Sequence, residues 1–355
     1  MHQILIGDCR QTLLGLPASS VHMIVTSPPY FGLRNYGSDG QIGLERTPEE
    51  YIAALVDTFR SIRRVLRGDG IVWLNIGDSY VSSPAGNKTP SGLSQRNPKR
   101  AAGNLAEFNT SKKETGLNPG NLMGIPWRLA LALQADGWWL RADVIWAKGS
   151  PMPESVAGWR WERCRTKNAE ESLACPGCEK CTPNDGYVLR VGSWRPTRAH
   201  EFVFLLAKSD RYFSDGESAK EQTTDQPGSK RNPRDVWAIN SVPSQLGHFA
   251  MMPPAMVEKC LRTGPKEVCA SCGAPWAPIV EHPGVNHPTC LCKAASGPPT
   301  VLDPFLGAGT VAGVAEVLGW HWVGCELSAD YVTLVPARVE EVKSWANRHG
   351  ITKVG

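Results

Sequence analysis

Short apolar runs that stop abruptly at Gly, Pro, Asp or Ser recur along the chain. Residues 3–6 end at Gly7-Asp8, 22–26 at Ser27-Pro28-Pro29-Tyr30, 71–76 at Gly77-Asp78, and 300–302 at Asp303-Pro304-Phe305. Further runs occupy 138–146, 201–207 and 321–324, the last closing on Cys325-Glu326. Runs of this length bounded by turn residues mark buried strands with functional loops at their carboxyl ends. Between them lie helical stretches. Thr47-Pro48-Glu49-Glu50 reads as a cap, a first-turn proline and a third-position Glu ahead of apolar residues through Leu66. A second helix is expected over 311–318. Strands alternating with helices predict a parallel α/β sheet.

Four stretches break this rhythm. Residues 81–121 are rich in Ser, Pro, Gly and Asn and carry Lys88, Arg96, Lys99, Arg100, Lys112 and Lys113 against Glu107 and Glu114, which predicts a long, mobile basic loop. Residues 158–186 and 264–297 hold four cysteines each and read as insertions. The stretch 214–247 opens with little apolar content and reads as a loop or linker. The segments 1–80, 122–157, 187–213, 248–263 and 298–355 are left for the core. The net charge is +4, from 38 basic and 34 acidic residues. Residues 81–121 alone sum to that value, so the picture is a neutral core with local basic insertions. With 35 Gly and 28 Pro in 355 residues the chain is loop-rich but globular. No apolar run approaches the ~18 residues of a membrane span, and the start lacks a signal peptide's long apolar stretch. A cytoplasmic protein is therefore expected, in which close cysteine spacings are metal sites before they are disulfides.

Two tracts carry chemistry. Residues 301–310, Val-Leu-Asp-Pro-Phe-Leu-Gly-Ala-Gly-Thr, are a strand entering a Gly-x-Gly turn and then a helix. Glycines there let backbone approach a bulky ligand, and the helix amino end faces it with free N–H groups. Glu326 follows the next strand, 17 residues past Gly309, a position suited to the ribose hydroxyls of a nucleoside cofactor. The third glycine place of a dinucleotide motif holds Ala312, so that fit is loose. In the second tract, Thr26-Ser27-Pro28-Pro29-Tyr30, two prolines fix the backbone at a strand's carboxyl end. The Ser27 oxygen and the Pro28 carbonyl become rigid neighbouring acceptors, and Tyr30 offers a flat face. Such a site suits a planar heterocycle bearing an exocyclic NH₂.

Together these motifs resemble the DNA amino-methyltransferases that move a methyl group from S-adenosylmethionine to adenine-N6 or cytosine-N4. The order, with (D/N/S)PPY near the amino end and DPFxGxGT near the carboxyl end, is similar to the β class. The resemblance implies an α/β Rossmann-like methyltransferase sheet in circularly permuted order, with a catalytic half at 1–80 and a cofactor half at 298–355. It implies catalytic roles for Ser27, Pro28, Pro29 and Tyr30. Cofactor contacts are implied for Asp8, Thr26, Asp303, Pro304, Phe305, Gly307, Gly309, Thr310 and Glu326, and for His248, Phe249 and Pro253 in a segment similar to the family's HxAxFP, where Met252 replaces Phe. Residues 214–247 would then hold target recognition. Transfer would be direct and in-line onto a base flipped out of double-stranded DNA. Ser in the first motif position more often accompanies cytosine-N4 enzymes, yet Ser and Asp both accept from either amine, so the base stays open. Methylation at carbon-5 would need a nucleophilic Pro-Cys; Ala174-Cys175-Pro176 has the reverse order. A homodimer, a restriction endonuclease partner, and a bacterial or phage origin come with the same resemblance.

Cys269-x₂-Cys272 and Cys290-x-Cys292 bracket 17 residues and read as a structural zinc ribbon, with His282 and His287 as substitute ligands. Cys164 with Cys175-x₂-Cys178-x₂-Cys181 reads as a second zinc site. Four protein ligands close a zinc site, so neither cluster is catalytic. Arg160, Arg163 and Arg165, with Trp159 and Trp161, surround the first cluster and are candidates for DNA contact, as are Lys99 and Arg100 in the basic loop. Two rivals stay in view. An RNA or protein-glutamine amino-methyltransferase would share the PPY loop, but such enzymes resemble Asn-Pro-Pro-Tyr with the cofactor motif upstream. A zinc-stapled DNA-binding protein without catalysis would not bind the cofactor.

Overall fold

The computed structural model describes residues 2–33, 35–81, 115–151, 156–167, 172–223, 228–241, 251–282 and 284–352. Eight strands build one sheet: β1 (His2–Ile6), β2 (Val21–Thr26), β3 (Leu66–Ile76), β4 (Trp139–Ala147), β5 (His200–Ala207), β6 (Val236–Ala238), β7 (Thr300–Asp303) and β8 (His321–Glu326). Their spatial order is β1-β8-β7-β2-β3-β5-β4-β6. The pairs β1/β8, β8/β7, β7/β2, β2/β3 and β4/β6 are parallel.

Successive residues of the central strands face opposite ways, and each face has its own layer. Met23 and Val25 of β2 and Ile71 and Trp73 of β3 join a core with α4 (Pro254–Leu261), α5 (Thr310–Leu318) and α6 (Val335–Arg348). Ile24, Val72 and Leu74 face the other core, with α1 (Cys9–Thr12), α2 (Pro48–Val65) and α3 (Ile125–Ala135). The α2 cap follows the sequence pattern: the Thr47 side chain accepts from Glu50 N–H at 3.1 Å, Pro48 opens the helix, and Tyr51, Leu55, Phe59 and Ile62 are buried along one stripe. Each such buried side chain contributes about 1.5–3 kcal/mol.

The expectation of a parallel sheet is corrected at one strand. β5 runs antiparallel to β3, with Ile76 opposite Phe202 and Asn75 opposite Val203. Among the described residues no crossover helix separates β4 from β5; Lys148 N–H donates to the Ala199 carbonyl at 2.8 Å, so the chain returns beside where it left. The short strand β6, inside the stretch read as a linker, is also new; three residues are too few to show alternation.

The chain divides into two compact units, Met1–Ala147 with Glu201–Gly355, and Lys148–His200. The second contains two small antiparallel strand pairs, Arg160–Arg163 with Tyr187–Arg190 and, between them in the chain, Arg165–Lys167 with Ser172–Ala174. Cys181 is the one buried hydrophobic residue among its described residues. A unit of this size without an apolar core needs a crosslink or a metal to hold its shape. Among the described residues no helix is long and apolar enough to cross a membrane.

Candidate active site

β7 and β2 are parallel neighbours, and the chain builds away from them in opposite directions, through β8 and β1 on one side and β3 on the other. Loops leaving the carboxyl ends of strands at such a point enclose a ligand crevice. The two loops are tied at their roots, where the Thr26 hydroxyl donates to Asp303 Oδ1 at 2.7 Å. Asp303 is 2% exposed and also accepts from Phe305 N–H at 3.1 Å. Burial pushes its carboxyl up to about 7.

On the β7–β8 side, Glu326 spans two loops. Its Oε2 accepts from Gly307 N–H at 2.8 Å and its Oε1 from Ser328 N–H at 2.9 Å, while burial raises its pKa. Gly309 caps α5 in the left-handed region at φ 93°, and a Cβ there would stand 2.9 Å from Val335 Cγ1. Only glycine makes that turn without displacing α6. Asp8 caps α1 and is gripped by Arg10, whose Nε lies 3.0 Å from both carboxylate oxygens, and this pairing holds the Asp8 carboxyl below its usual range.

On the β2 side, the Tyr51 hydroxyl of α2 donates to the Pro29 carbonyl at 2.8 Å and fixes the loop from behind. The Tyr30 hydroxyl lies 2.5 Å from Glu201 Oε2 and 3.2 Å from Asn75 Oδ1. Burial, and then the Glu201 carboxylate, hold its pKa well above the usual 10. Leu33, Tyr36 and Ile42 form a further wall, and Tyr36 packs edge-on against Tyr331 at 5.9 Å.

The sequence motifs thus converge on one pocket: Asp8, Ser27, Pro28, Pro29, Tyr30, Asp303, Pro304, Phe305, Gly307, Thr310 and Glu326 all line it. Three residues expected at the cofactor do not. Thr26 is fully buried beneath the pocket, its hydroxyl committed to Asp303. Gly309 is turned toward Val335, and Pro253 caps α4 while its neighbours Met251 and Met252 reach the wall. His248, Phe249, Lys99 and Arg100 lie outside the described residues. Glu201, Asn75, Tyr36 and Tyr331 were missed; of these only Glu201 carried a hint, as a charge opening an apolar strand.

Both cysteine clusters assemble, each with four sulfur atoms within 4.8 Å of one another. In the first, Sγ separations are 3.8 Å for Cys164–Cys178, 3.6 Å for Cys178–Cys181 and 3.8 Å for Cys175–Cys181. A tetrahedral Zn–S distance of about 2.3 Å implies about 3.8 Å between sulfurs. Backbone N–H groups lower Cys178 to about 7 and Cys269 to about 6, while burial pushes Cys164 up to about 12 and the neighbouring thiols push Cys292 up to about 12. Histidine is in neither set. The second cluster sits by the amino ends of β2 and β3, where His22 Nε2 lies 3.0 Å from the Gly273 carbonyl and Arg67 donates to the Cys272 carbonyl at 3.0 Å. That is the end of the strands away from the pocket. The first cluster, with Arg160, Arg163 and Arg165 around it, lies in the Lys148–His200 unit.

The profile of the DNA methylase family, of the N6/N4 type, matches residues 21–336. The chain belongs to that family. A Type II methyltransferase of Serratia marcescens, M.SmaI, is 38% identical to the methylase over 337 residues, spanning 95% of this chain and 90% of the relative. Among solved structures, the cytosine-N4-specific PvuII DNA methyltransferase superposes with a TM-score of 0.53 at 16% identity, covering 97% of this chain and 91% of that one. A Thermus thermophilus protein named as a putative DNA modification methylase, in complex with S-adenosyl-L-methionine, gives 0.52 at 17% identity over 96% and 94%. At these identities the two structures speak for the fold of the methylase, a mixed α/β sheet.

Asp303 makes the methylase's stability pH-dependent. Its folded value of about 7 lies above the usual 3.8, so its contribution is full below about pH 3.8 and is lost as pH rises through about 7. Asp303→Asn removes that loss. Urea denaturation of the ligand-free chain should show the variant gaining on the parent by a few kcal/mol between about pH 5 and 8.5. A difference that stays constant with pH would contradict the assignment.

Proposed function

We propose that this methylase transfers a methyl group from S-adenosylmethionine to the exocyclic amine of cytosine or adenine, flipped out of double-stranded DNA, and that it is of the β class in circularly permuted order. One observation carries the reading: the Ser27-Pro28-Pro29-Tyr30 loop and the 303–310 loop open into a single pocket from adjacent parallel strands. The donor set suits the cofactor. Glu326 presents a pinned carboxylate for ribose hydroxyls, Asp303 and Asp8 favour a cationic amino acid portion, and Phe305 and Met252 supply apolar wall. Bound there, S-adenosylmethionine supplies an electrophilic methyl group on a sulfonium. The protein's part is positioning: Ser27 and the Pro28 carbonyl accept the amine hydrogens, which leaves the nitrogen lone pair available, and Tyr30 stacks on the base to offset a few kcal/mol of unstacking. Tritium transfer from labelled cofactor to mixed-sequence DNA should fall at least ~100-fold in Ser27→Ala and Tyr30→Ala, with cofactor affinity retained. Unchanged turnover in both would sink the assignment.

We further propose that each four-cysteine cluster binds zinc and that the first shapes a DNA-contacting surface. Arg160 and Arg163 lie on, and Arg165 beside, an antiparallel strand pair next to exposed Trp159 (71%) and Trp161 (54%), charge and flat apolar surface together. Lys99 and Arg100 belong to the same reading as phosphate contacts. Elemental analysis should return two zinc ions per chain; less than one would refute both sites. Replacing the three arginines by Gln should weaken DNA binding and flatten its salt dependence by about one unit of log–log slope per lost phosphate contact. An unaltered slope would remove this surface from the DNA interface.

A further inference from the structure

β5 is the strand that opposes its neighbour, and the reversal has a chemical result. A strand running against the sheet delivers its first residues, not its last, to the end where the active-site loops emerge. The register that sets Ile76 opposite Phe202 brings Glu201 beside Gly77, directly behind the Ser27–Tyr30 loop. Glu201 Oε2 accepts from the Tyr30 hydroxyl at 2.5 Å and from Asn75 Nδ2 at 3.1 Å. Asn75 is itself fixed, because its Nδ2 also lies 3.2 Å from the Phe202 carbonyl. The ring edge is held just as closely: a Cβ at residue 77 would stand 2.6 Å from Tyr30 Cε2 and 3.3 Å from Glu201 Cδ, so Gly77 leaves a slot that the tyrosine fills.

We propose that Glu201, assisted by Asn75, is the positioning residue for Tyr30, holding its ring at the angle that stacks on the flipped base. This rests on the reading of Tyr30 as the stacking surface. The hydroxyl end of a tyrosine is the lever by which its plane is set; tied to two adjacent strands, the ring is ordered before the base arrives. The base then meets an oriented ring, and the ordering cost is removed from the transfer step. Misplacement by about 1 Å in such a site is worth roughly 100-fold in rate.

A double-mutant cycle on the full-length chain tests this, with tritium transfer to mixed-sequence plasmid DNA, S-adenosylmethionine affinity by calorimetry and the thermal midpoint as readouts. Glu201→Ala should lower kcat by ~10- to 100-fold with cofactor affinity within about twofold of the parent. The same substitution in a Tyr30→Phe background should change kcat by less than about twofold, since the phenyl ring has no hydroxyl to hold. Glu201→Gln, which keeps an acceptor oxygen at full reach, should recover most of the rate. Glu201→Asp, one methylene short, should behave like Ala and carries the cycle if Glu201→Ala does not fold. Equal losses in the parent and in the Tyr30→Phe background, or no loss at all, would overturn the proposal. If Tyr30→Ala is inactive while the Ala and Asp substitutions at Glu201 are unimpaired, positioning alone falls. If Tyr30→Ala keeps full transfer, the stacking reading falls first.

Discussion

The hydrogen bond from Thr26 to Asp303 joins residues 277 positions apart in the chain and adjacent in the sheet. Because β2 and β7 are parallel neighbours, the loop that would hold the target amine and the loop that would hold the methyl donor start from the same level of the sheet. In-line transfer requires that proximity, and a scaffold of packed strands supplies it at low entropic cost. Burial, and not that bond, sets the electrostatics of the pocket floor. Desolvation, with a smaller contribution from nearby Glu326, outweighs the donors Thr26 and Phe305 and pushes the Asp303 carboxyl up to about 7. A cationic ligand portion would reverse that balance, which makes the floor responsive to what binds above it.

Two kinds of stabilisation divide the molecule. The sheet unit is held by apolar side chains on both faces, with helices α1–α3 covering one and α4–α6 the other. The Lys148–His200 unit has short strand pairs, exposed tryptophans and four converging thiols but almost no buried apolar surface among its described residues. There a zinc ion held by the four thiols, as proposed, would take the place of a core. The second cluster, beside His22 and Arg67 at the amino ends of the strands, is remote from chemistry and suits a structural staple.

Much of this was legible in the residues. The apolar runs located seven of the eight strands, the Thr47 cap located α2, and both motifs reached the pocket, because each is written in local pattern and turn chemistry. The antiparallel course of β5 was not, since strand direction depends on whether a crossover or a hairpin return precedes the strand. Thr26 came with the resemblance to the family's motif, and local pattern does not tell whether such a side chain reaches the pocket or ties its floor to Asp303. Glu201 escaped notice for a related reason: its partners Tyr30 and Asn75 lie 171 and 126 positions away, and only the folded register brings them together.

On the proposed reading the pocket would present an exocyclic amine, and not a ring carbon, to the methyl donor, and the product records which. The purified chain is incubated with labelled S-adenosylmethionine and mixed-sequence DNA, the DNA is digested to nucleosides, and the labelled species is identified by mass spectrometry. N4-methylcytosine or N6-methyladenine in DNA is the expected product. Label in 5-methylcytosine, or in RNA or protein with none in DNA, would contradict it.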